Sequence, residues 1–212
     1  VGPFLNAWSL DLFVLVNLVA ALVAYLWAAQ RVRALDPHSP WPRSATSCFV
    51  AGIAVLALTY LGPMAAWSHT FFWVHMTQHL LVMMVAAPLI VLSAPTTLVF
   101  RASGPDARRK WIVPILRGRA VRLLTNPVLT WVVFALALLA THFTGFYNWA
   151  LQNHDADQFI EQPLFLIAAL LYYFPLVGRN LQPRRPTQAA RLLSLALMMI
   201  PEAIVGAVIY FA

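Results

Sequence analysis

Residues 71–89 read FFWVHMTQHLLVMMVAAPL, an apolar stretch that carries two histidines. A helix rises about 1.5 Å per residue, so a stretch of this length covers most of the roughly 30 Å hydrocarbon core of a bilayer. Ionisable side chains are rare at that depth and usually mark a functional site. The stretch therefore predicts a membrane-spanning helix that carries such a site.

Histidine and methionine recur in this stretch at helical spacing. His75, His79 and Met83 follow one another at intervals of four residues, and Met76 lies beside them. Because a helix turns about 100° per residue, the four side chains fall within an arc of about 100°. Two imidazoles and two thioethers on one face suit a soft or borderline transition metal, copper above all. The opposite face, with Leu80, is expected to meet lipid or another helix.

The whole chain has the composition of a membrane protein. Of its 212 residues, 61% are hydrophobic and 10% are charged, and its mean hydropathy is +0.74. Soluble domains have about 25% charged residues. Six apolar runs are long enough to span a bilayer, at residues 8–29, 45–65, 71–92, 128–147, 159–177 and 192–211.

These runs predict an all-α fold, a polytopic membrane helical bundle of six transmembrane helices. No soluble domain interrupts them, so a single transmembrane helical domain is expected over residues 1–212. The chain begins with Val1 rather than Met, and we expect it to be a processed chain or part of a longer one.

Basic residues give the predicted orientation. All 14 arginines and lysines fall in the connections after the first, third and fifth predicted helices. The positive-inside rule makes these connections cytoplasmic and both ends of the chain extracytoplasmic. The net charge of +7 is therefore a topology signal, with anionic lipid headgroups as partners of the cytoplasmic loops and no nucleic acid partner. The longest connection, residues 93–127, is either a short amphipathic helix in the headgroup layer or a solvated loop.

The same topology collects histidines near the outer face. At about 1.5 Å per residue, His75 and His79 lie roughly 6 and 12 Å below the outer boundary, and His142 of the fourth helix lies roughly 7 to 8 Å below it. His69, in the outer loop, and Glu161, at the start of the fifth helix, are accessory candidates in this layer. The alternative for each residue taken alone is structural, since intramembrane histidines often join helices and methionines often fill apolar cores.

Two prolines lie inside predicted helices. Pro88 and Pro201 lack the amide hydrogen of a helical hydrogen bond, so a kink is predicted at each. Glu202 follows Pro201 near mid-membrane, and Met198 precedes Pro201 by about one turn. An intramembrane carboxylate must be protonated, paired or in contact with a polar cavity, so Glu202 and Met198 are further accessory candidates.

The sequence carries no signature of an enzyme. A nucleophile elbow, a phosphate-binding loop and a metalloprotease helix are absent, so no enzymatic activity is expected. The single cysteine, Cys48, excludes an internal disulfide. Histidine and methionine suit a copper site in an oxidising compartment because they do not form disulfides.

Residues 75–95, HMTQHLLVMMVAAPLIVLSAP, resemble the signature helix of the CtaG family of cytochrome c oxidase assembly factors, bacterial membrane proteins linked to copper delivery. The resemblance covers most of residues 66–212 and continues through Asn126 and Pro127, His142 with Phe146, YYFPLVG at residues 172–178 and PEAIVGAVIYFA at residues 201–212. Many relatives carry further histidines at the start of the fifth helix, where this chain has Asp157, Gln158, Glu161 and Gln162.

The resemblance implies a copper-handling assembly factor of the bacterial plasma membrane, with copper as Cu(I) and with cytochrome c oxidase subunits as partners. His75, His79 and His142 would hold copper near the outer face, with Met76 and Met83 helping to accept Cu(I), and the protein would pass this copper to the oxidase. Two alternatives stay open. A haem b electron-transfer protein would use His79 and His142 as axial ligands. A copper or proton pathway would be lined by Met198, Met199 and Glu202.

Overall fold

A computed structural model describes residues 8, 11–68, 70–143, 160–177 and 186–211. These residues are mostly helical, and no strand occurs among them. In two stretches, Leu81–Ala86 and Arg108–Ile112, the backbone hydrogen bonds follow the wider π pattern. The described elements are, in chain order, α1 (Leu12–Leu35), α2 (Arg43–Tyr60), α3 (Pro63–Trp67), α4 (Phe72–Leu80), π1 (Leu81–Ala86), α5 (Ala87–Leu92), α6 (Pro95–Ala102), α7 (Pro105–Ala107), π2 (Arg108–Ile112), α8 (Val113–Arg117), α9 (Arg119–Leu124), α10 (Pro127–Phe143), α11 (Gln162–Val177) and α12 (Gln188–Phe211).

Four described helical stretches are long and apolar enough to cross a membrane: Leu12–Leu35, Arg43–Trp67, Phe72–Ala102 and Gln188–Val208. Helices α10 and α11 are also apolar but shorter, with 17 and 16 residues. The predicted all-α membrane protein is therefore confirmed. The count of six spans and the extracytoplasmic position of both ends stay predictions.

Two compact units divide the chain. The first is Val1–Ile115 with Val177–Leu181, and the second is Leu116–Leu176 with Gln182–Ala212. The first unit contains α1 to α7, π1 and π2, and the second contains α9 to α12. The single domain expected over residues 1–212 stays a prediction.

Helix α1 extends beyond the predicted run of residues 8–29. It starts after Asp11, whose side chain accepts a hydrogen bond from the amide of Val14 at 2.9 Å, and it ends at Leu35. Asp36 takes a non-helical conformation because the ring of Pro37 disfavours helix at the preceding residue. Proline chemistry therefore sets the end of α1, six residues past the end of the apolar run.

A buried hydrogen-bond network joins the helices of the first unit. The indole of Trp41 donates to the hydroxyl of Tyr25 at 3.1 Å, and that hydroxyl donates to the carbonyl of Ser93 at 2.8 Å. The ring of Tyr25 also stacks on Phe49, with 3.9 Å between the ring centres. These contacts fix α1 to α2 and to the segment that follows α5.

The histidine-bearing stretch changes its winding ahead of Pro88. It is α-helical in α4, π-helical in π1 and α-helical again in α5. At the end of π1 the amide of Ala87 bonds to the carbonyl of Val82, five residues earlier. Such π segments inside helices occur frequently at functional sites. The π winding lies in the turn before Pro88, and the kink at Pro88 stays a prediction.

The connection predicted over residues 93–127 is largely helical, because α6, α7, π2, α8 and α9 occupy it. Helix α6 begins after Ala94, which takes a left-handed conformation with φ of 52°. Trp111 and Ile115 are 69% and 61% exposed in this connection. This connection therefore contains five short helical elements rather than one helix, and its contact with lipid headgroups stays a prediction.

The first two basic connections meet at one end of the first unit. Arg101 forms an ion pair with Asp36 at 3.1 Å and also donates to the carbonyl of Ser39. The Arg31 side chain donates to the carbonyl of Ala102 at 2.9 Å. The end of α1, the loop after it and α6 are therefore neighbours.

Candidate metal centre

His75 and His79 form a contacting pair on α4. Their Nε2 atoms are 2.8 Å apart, and the two rings are nearly perpendicular. Both side chains are buried, with 1% and 2% of their surface exposed. One Nε2 donates the hydrogen of this bond and the other accepts it. The spacing of four residues thus does bring the two imidazoles together, as predicted.

One side of helix α4 is buried and the other side is exposed. Val74, His75, Gln78 and His79 are buried, whereas Trp73 on the other side is 62% exposed. Leu80, predicted to meet lipid or another helix, is 48% exposed. The histidines therefore lie on the face that packs against protein.

Gln78 is a site residue that the sequence reasoning missed. It lies between the two histidines in the chain, is 3% exposed and donates from Nε2 to the carbonyl of Thr59 at 2.9 Å. Within the described part of the chain, its Oε1 is a buried atom with no hydrogen-bond partner. Its position as a polar residue inside an apolar stretch indicates a special role. Its partner Thr59 is 19 residues away on α2, so the sequence does not reveal the contact.

The two methionines predicted beside the histidines differ in environment. Met83 is 2% exposed and belongs to π1, whereas Met76 of α4 is half-buried. The predicted common arc assumed a regular α-helix up to Met83. Since π1 winds more slowly, Met83 is rotated from its expected position relative to His79.

His142 lies in the second unit, in the last turn of α10. Its Nδ1 is 2.8 Å from the carbonyl of Leu138 and 3.0 Å from Oγ1 of Thr141. A carbonyl only accepts, so Nδ1 carries the hydrogen and Nε2 carries the lone pair. This is the arrangement by which metal-binding histidines are usually oriented.

The accessory candidates of the second unit are also placed. Glu161 is buried just before α11, with 1% of its surface exposed. Met198 is 3% exposed, and Glu202 is half-buried one turn further along α12. His69, Asp157 and Gln158 lie outside the described residues.

Comparison with known proteins adds the family. A sequence model described as cytochrome c oxidase caa3 assembly factor (Caa3_CtaG) matches residues 23–212. Uncharacterized proteins of Mycobacterium bovis and Mycobacterium tuberculosis are each 26% identical over 191 residues, which is 87% of this chain and 28% of each relative. An uncharacterized protein of Mycobacterium leprae is 24% identical over 195 residues, covering 89% of this chain and 29% of the relative.

The chain therefore spans less than a third of the length of these curated relatives. No solved structure matches it. The family match includes the whole of α4, π1 and α5 as well as α10 to α12. Because this match extends over most of the sequence, the chain belongs to the cytochrome c oxidase caa3 assembly factor family.

Proposed function

We propose that this protein binds copper through His75 and His79 and delivers it during the assembly of a cytochrome c oxidase. The observation that carries the proposal is the buried pair of Nε2 atoms at 2.8 Å. Imidazole is a common ligand of copper, and two imidazole nitrogens converge here. Helix α4 contains no aspartate or glutamate that would form an ion pair with them. The family description names the oxidase, which we take as the recipient.

The geometry of the pair fits a metal ion after a small movement. Nitrogen ligands lie about 2.0–2.1 Å from a transition metal, so two of them at a tetrahedral angle are about 3.3 Å apart. The rings of His75 and His79 would need to separate by about 0.5 Å from the contact at 2.8 Å. Copper binding at both Nε2 atoms would require the donor imidazole to change tautomer, so that its hydrogen moves from Nε2 to Nδ1 and both rings stay neutral.

The neighbouring sulfur atoms favour Cu(I) as the oxidation state. Met76 and Met83 carry thioethers in the same helical stretch as the pair, and thioethers select Cu(I). Cys48, the single cysteine, is on α2, so no thiolate pair holds the metal irreversibly. A site of imidazoles and thioethers would release copper to a partner more readily than a thiolate site.

His142 and Glu161 remain proposed ligands from the second unit. The hydrogen bonds of His142 leave its Nε2 in the state that binds metals, and burial keeps Glu161 away from bulk water. The proposal for each residue is supported by its hydrogen bonds or burial and by the membrane depth expected from the sequence.

We further propose six spans in a bacterial plasma membrane. Helices α10 and α11 would be the two spans beyond the four long ones, and at about 1.5 Å per residue they cover roughly 24–26 Å of a 30 Å core. The basic connections would face the cytoplasm and its anionic lipids. The outer half of the bundle would then carry the copper site.

Copper content tests the proposal. The full chain, purified and loaded with Cu(I), should lose stoichiometric copper in the variant His75→Ala with His79→Ala. His38→Ala is the matched control, because His38 is exposed in the loop after α1 and should leave copper unchanged. Unchanged copper in the double variant would contradict the site. A visible spectrum separates the haem alternative, since bound haem b would give a strong Soret band.

A further inference from the structure

The second unit contains a buried group of polar and sulfur-containing side chains between α11 and α12. The hydroxyl of Tyr172 donates to the carbonyl of Ser194 at 2.9 Å, and the hydroxyl of Tyr173 donates to Sδ of Met198 at 3.8 Å. Tyr172, Tyr173 and Met198 are 0%, 6% and 3% exposed. Two adjacent tyrosines of α11 thus contact two successive turns of α12.

Glu202 extends this group by one further turn of α12. Residues four apart on a helix have Cβ atoms about 5–6 Å apart on one face, so Glu202 follows Met198 on that face. The contact of Met198 with Tyr173 shows that this face of α12 is directed at α11. Its Oε1 is a buried atom that has no hydrogen-bond partner among the residues with described structure.

The chemistry of this group suits a soft cation of single charge. The sulfur of Met198 has two lone pairs, and the hydrogen bond from Tyr173 uses one of them. Thioethers select Cu(I) among the biological metals. A carboxylate in an apolar region is costly unless it is neutralised, and a monovalent cation beside Glu202 would neutralise it without leaving excess charge.

We propose that Met198 and Glu202 form a second Cu(I) site, in which the thioether is the ligand and the carboxylate is the counter-charge. Cu(I) adds to Sδ by simple association, and no electron is transferred. The inference rests on the proposed function only for the identity of the cation. Because Met198 lies on a different helix and in a different unit from His75 and His79, the two sites can be removed independently.

The test uses the full chain in detergent under anaerobic conditions, with Cu(I) alone as the probe. Copper content is measured against a chelator, and copper X-ray absorption reports sulfur ligands. The variant His75→Ala with His79→Ala should keep a weaker Cu(I) with a sulfur ligand. Adding Met198→Leu should abolish it, and adding Glu202→Gln should weaken it.

Met199→Leu is the matched control in the same background. Met199 is adjacent in sequence but 68% exposed, so its loss should leave the second copper in place. Leucine nearly conserves the volume of methionine, and circular dichroism verifies that both variants stay helical.

The outcomes separate the two proposals. No Cu(I) in the histidine double variant, or equal copper in its Met198→Leu and Met199→Leu derivatives, overturns the second site. If the histidine double variant keeps all the copper of the parent and Met198→Leu removes part of it, the proposed histidine site fails and the second site stands.

Discussion

Gln78 shows how a single side chain can complete the end of another helix. The carbonyl of Thr59 lies in the last turn of α2, where its helical partner would be the amide of residue 63. That residue is Pro63, which has no amide hydrogen. The side chain of Gln78 supplies the missing donor at 2.9 Å. The candidate site is therefore anchored to α2 by the residue between its two histidines.

Replacement of Gln78 by leucine should destabilise the protein. The change leaves the buried carbonyl of Thr59 without its side-chain donor, which costs about 1–3 kcal/mol, and the measurement is thermal unfolding in detergent. Thr77→Ala is the control on the same helix, because the hydroxyl of Thr77 donates back to the carbonyl of Trp73 within α4. Equal stability of the two variants would contradict the anchoring role.

At this scale the pairing of His75 with His79 follows from sequence, because residues four apart on a helix are neighbours. The role of Gln78 does not, because it depends on where α2 ends and which helix lies beside it. The same limit applies to Tyr25, whose partners Trp41 and Ser93 are 16 and 68 residues away. Local spacing predicts contacts within one helix only.

Among the elements, the stretch from α4 to α5 departs most from a regular helix. Hydropathy predicts an apolar run over residues 71–92, and α4, π1 and α5 together cover Phe72 to Leu92. It cannot predict π1, because the wider turn depends on Pro88 and on what packs against it. Gly52 of α2 provides that packing surface. A Cβ atom there would lie 2.8 Å from Cγ1 of Ile90 and 3.3 Å from the carbonyl oxygen of Ala86.

Gly52→Ala should therefore push α2 away from the end of π1. Overpacking of this kind costs about 1–3 kcal/mol, which should appear as a lower unfolding temperature in detergent. Gly206→Ala is the control in α12, since nothing lies within 4 Å of the Cβ atom it would add. Removal of a helical glycine should there be neutral or stabilising by up to about 1 kcal/mol. A Gly52→Ala protein as stable as the parent would contradict the close packing.

On the scale of the whole molecule, charge placement is the most informative sequence signal. The two basic connections that flank the second and third predicted spans meet in the first unit, through Arg101 with Asp36 and through Arg31 with Ala102. Two spans lie between these connections, so the chain returns to the same side of the membrane; an odd number of spans would have placed the connections on opposite sides. The sequence therefore predicts their common side, while the helical form of residues 93–127 required the structure.

Labelling of single cysteines measures the orientation. In a Cys48→Ser background, Thr70→Cys should react with an impermeant maleimide in intact cells, because Thr70 is exposed before α4 at the end proposed to face outward. Ser39→Cys should react only after permeabilisation, because the basic connections are proposed to be cytoplasmic. The reverse pattern would invert the topology, and labelling of both from one side would contradict the single span between them.

The ion pair of Asp36 with Arg101 also bears on the order of events during synthesis. Its partners are 65 residues apart in the chain. At about 5–20 residues per second, a ribosome needs roughly 3–13 s to make the segment between them. Asp36 must therefore wait in the nascent chain while the second span and the histidine-bearing span are inserted. A chain truncated before Arg101 would contain the first three spans but would lack the ion pair that joins the end of α1 to α6.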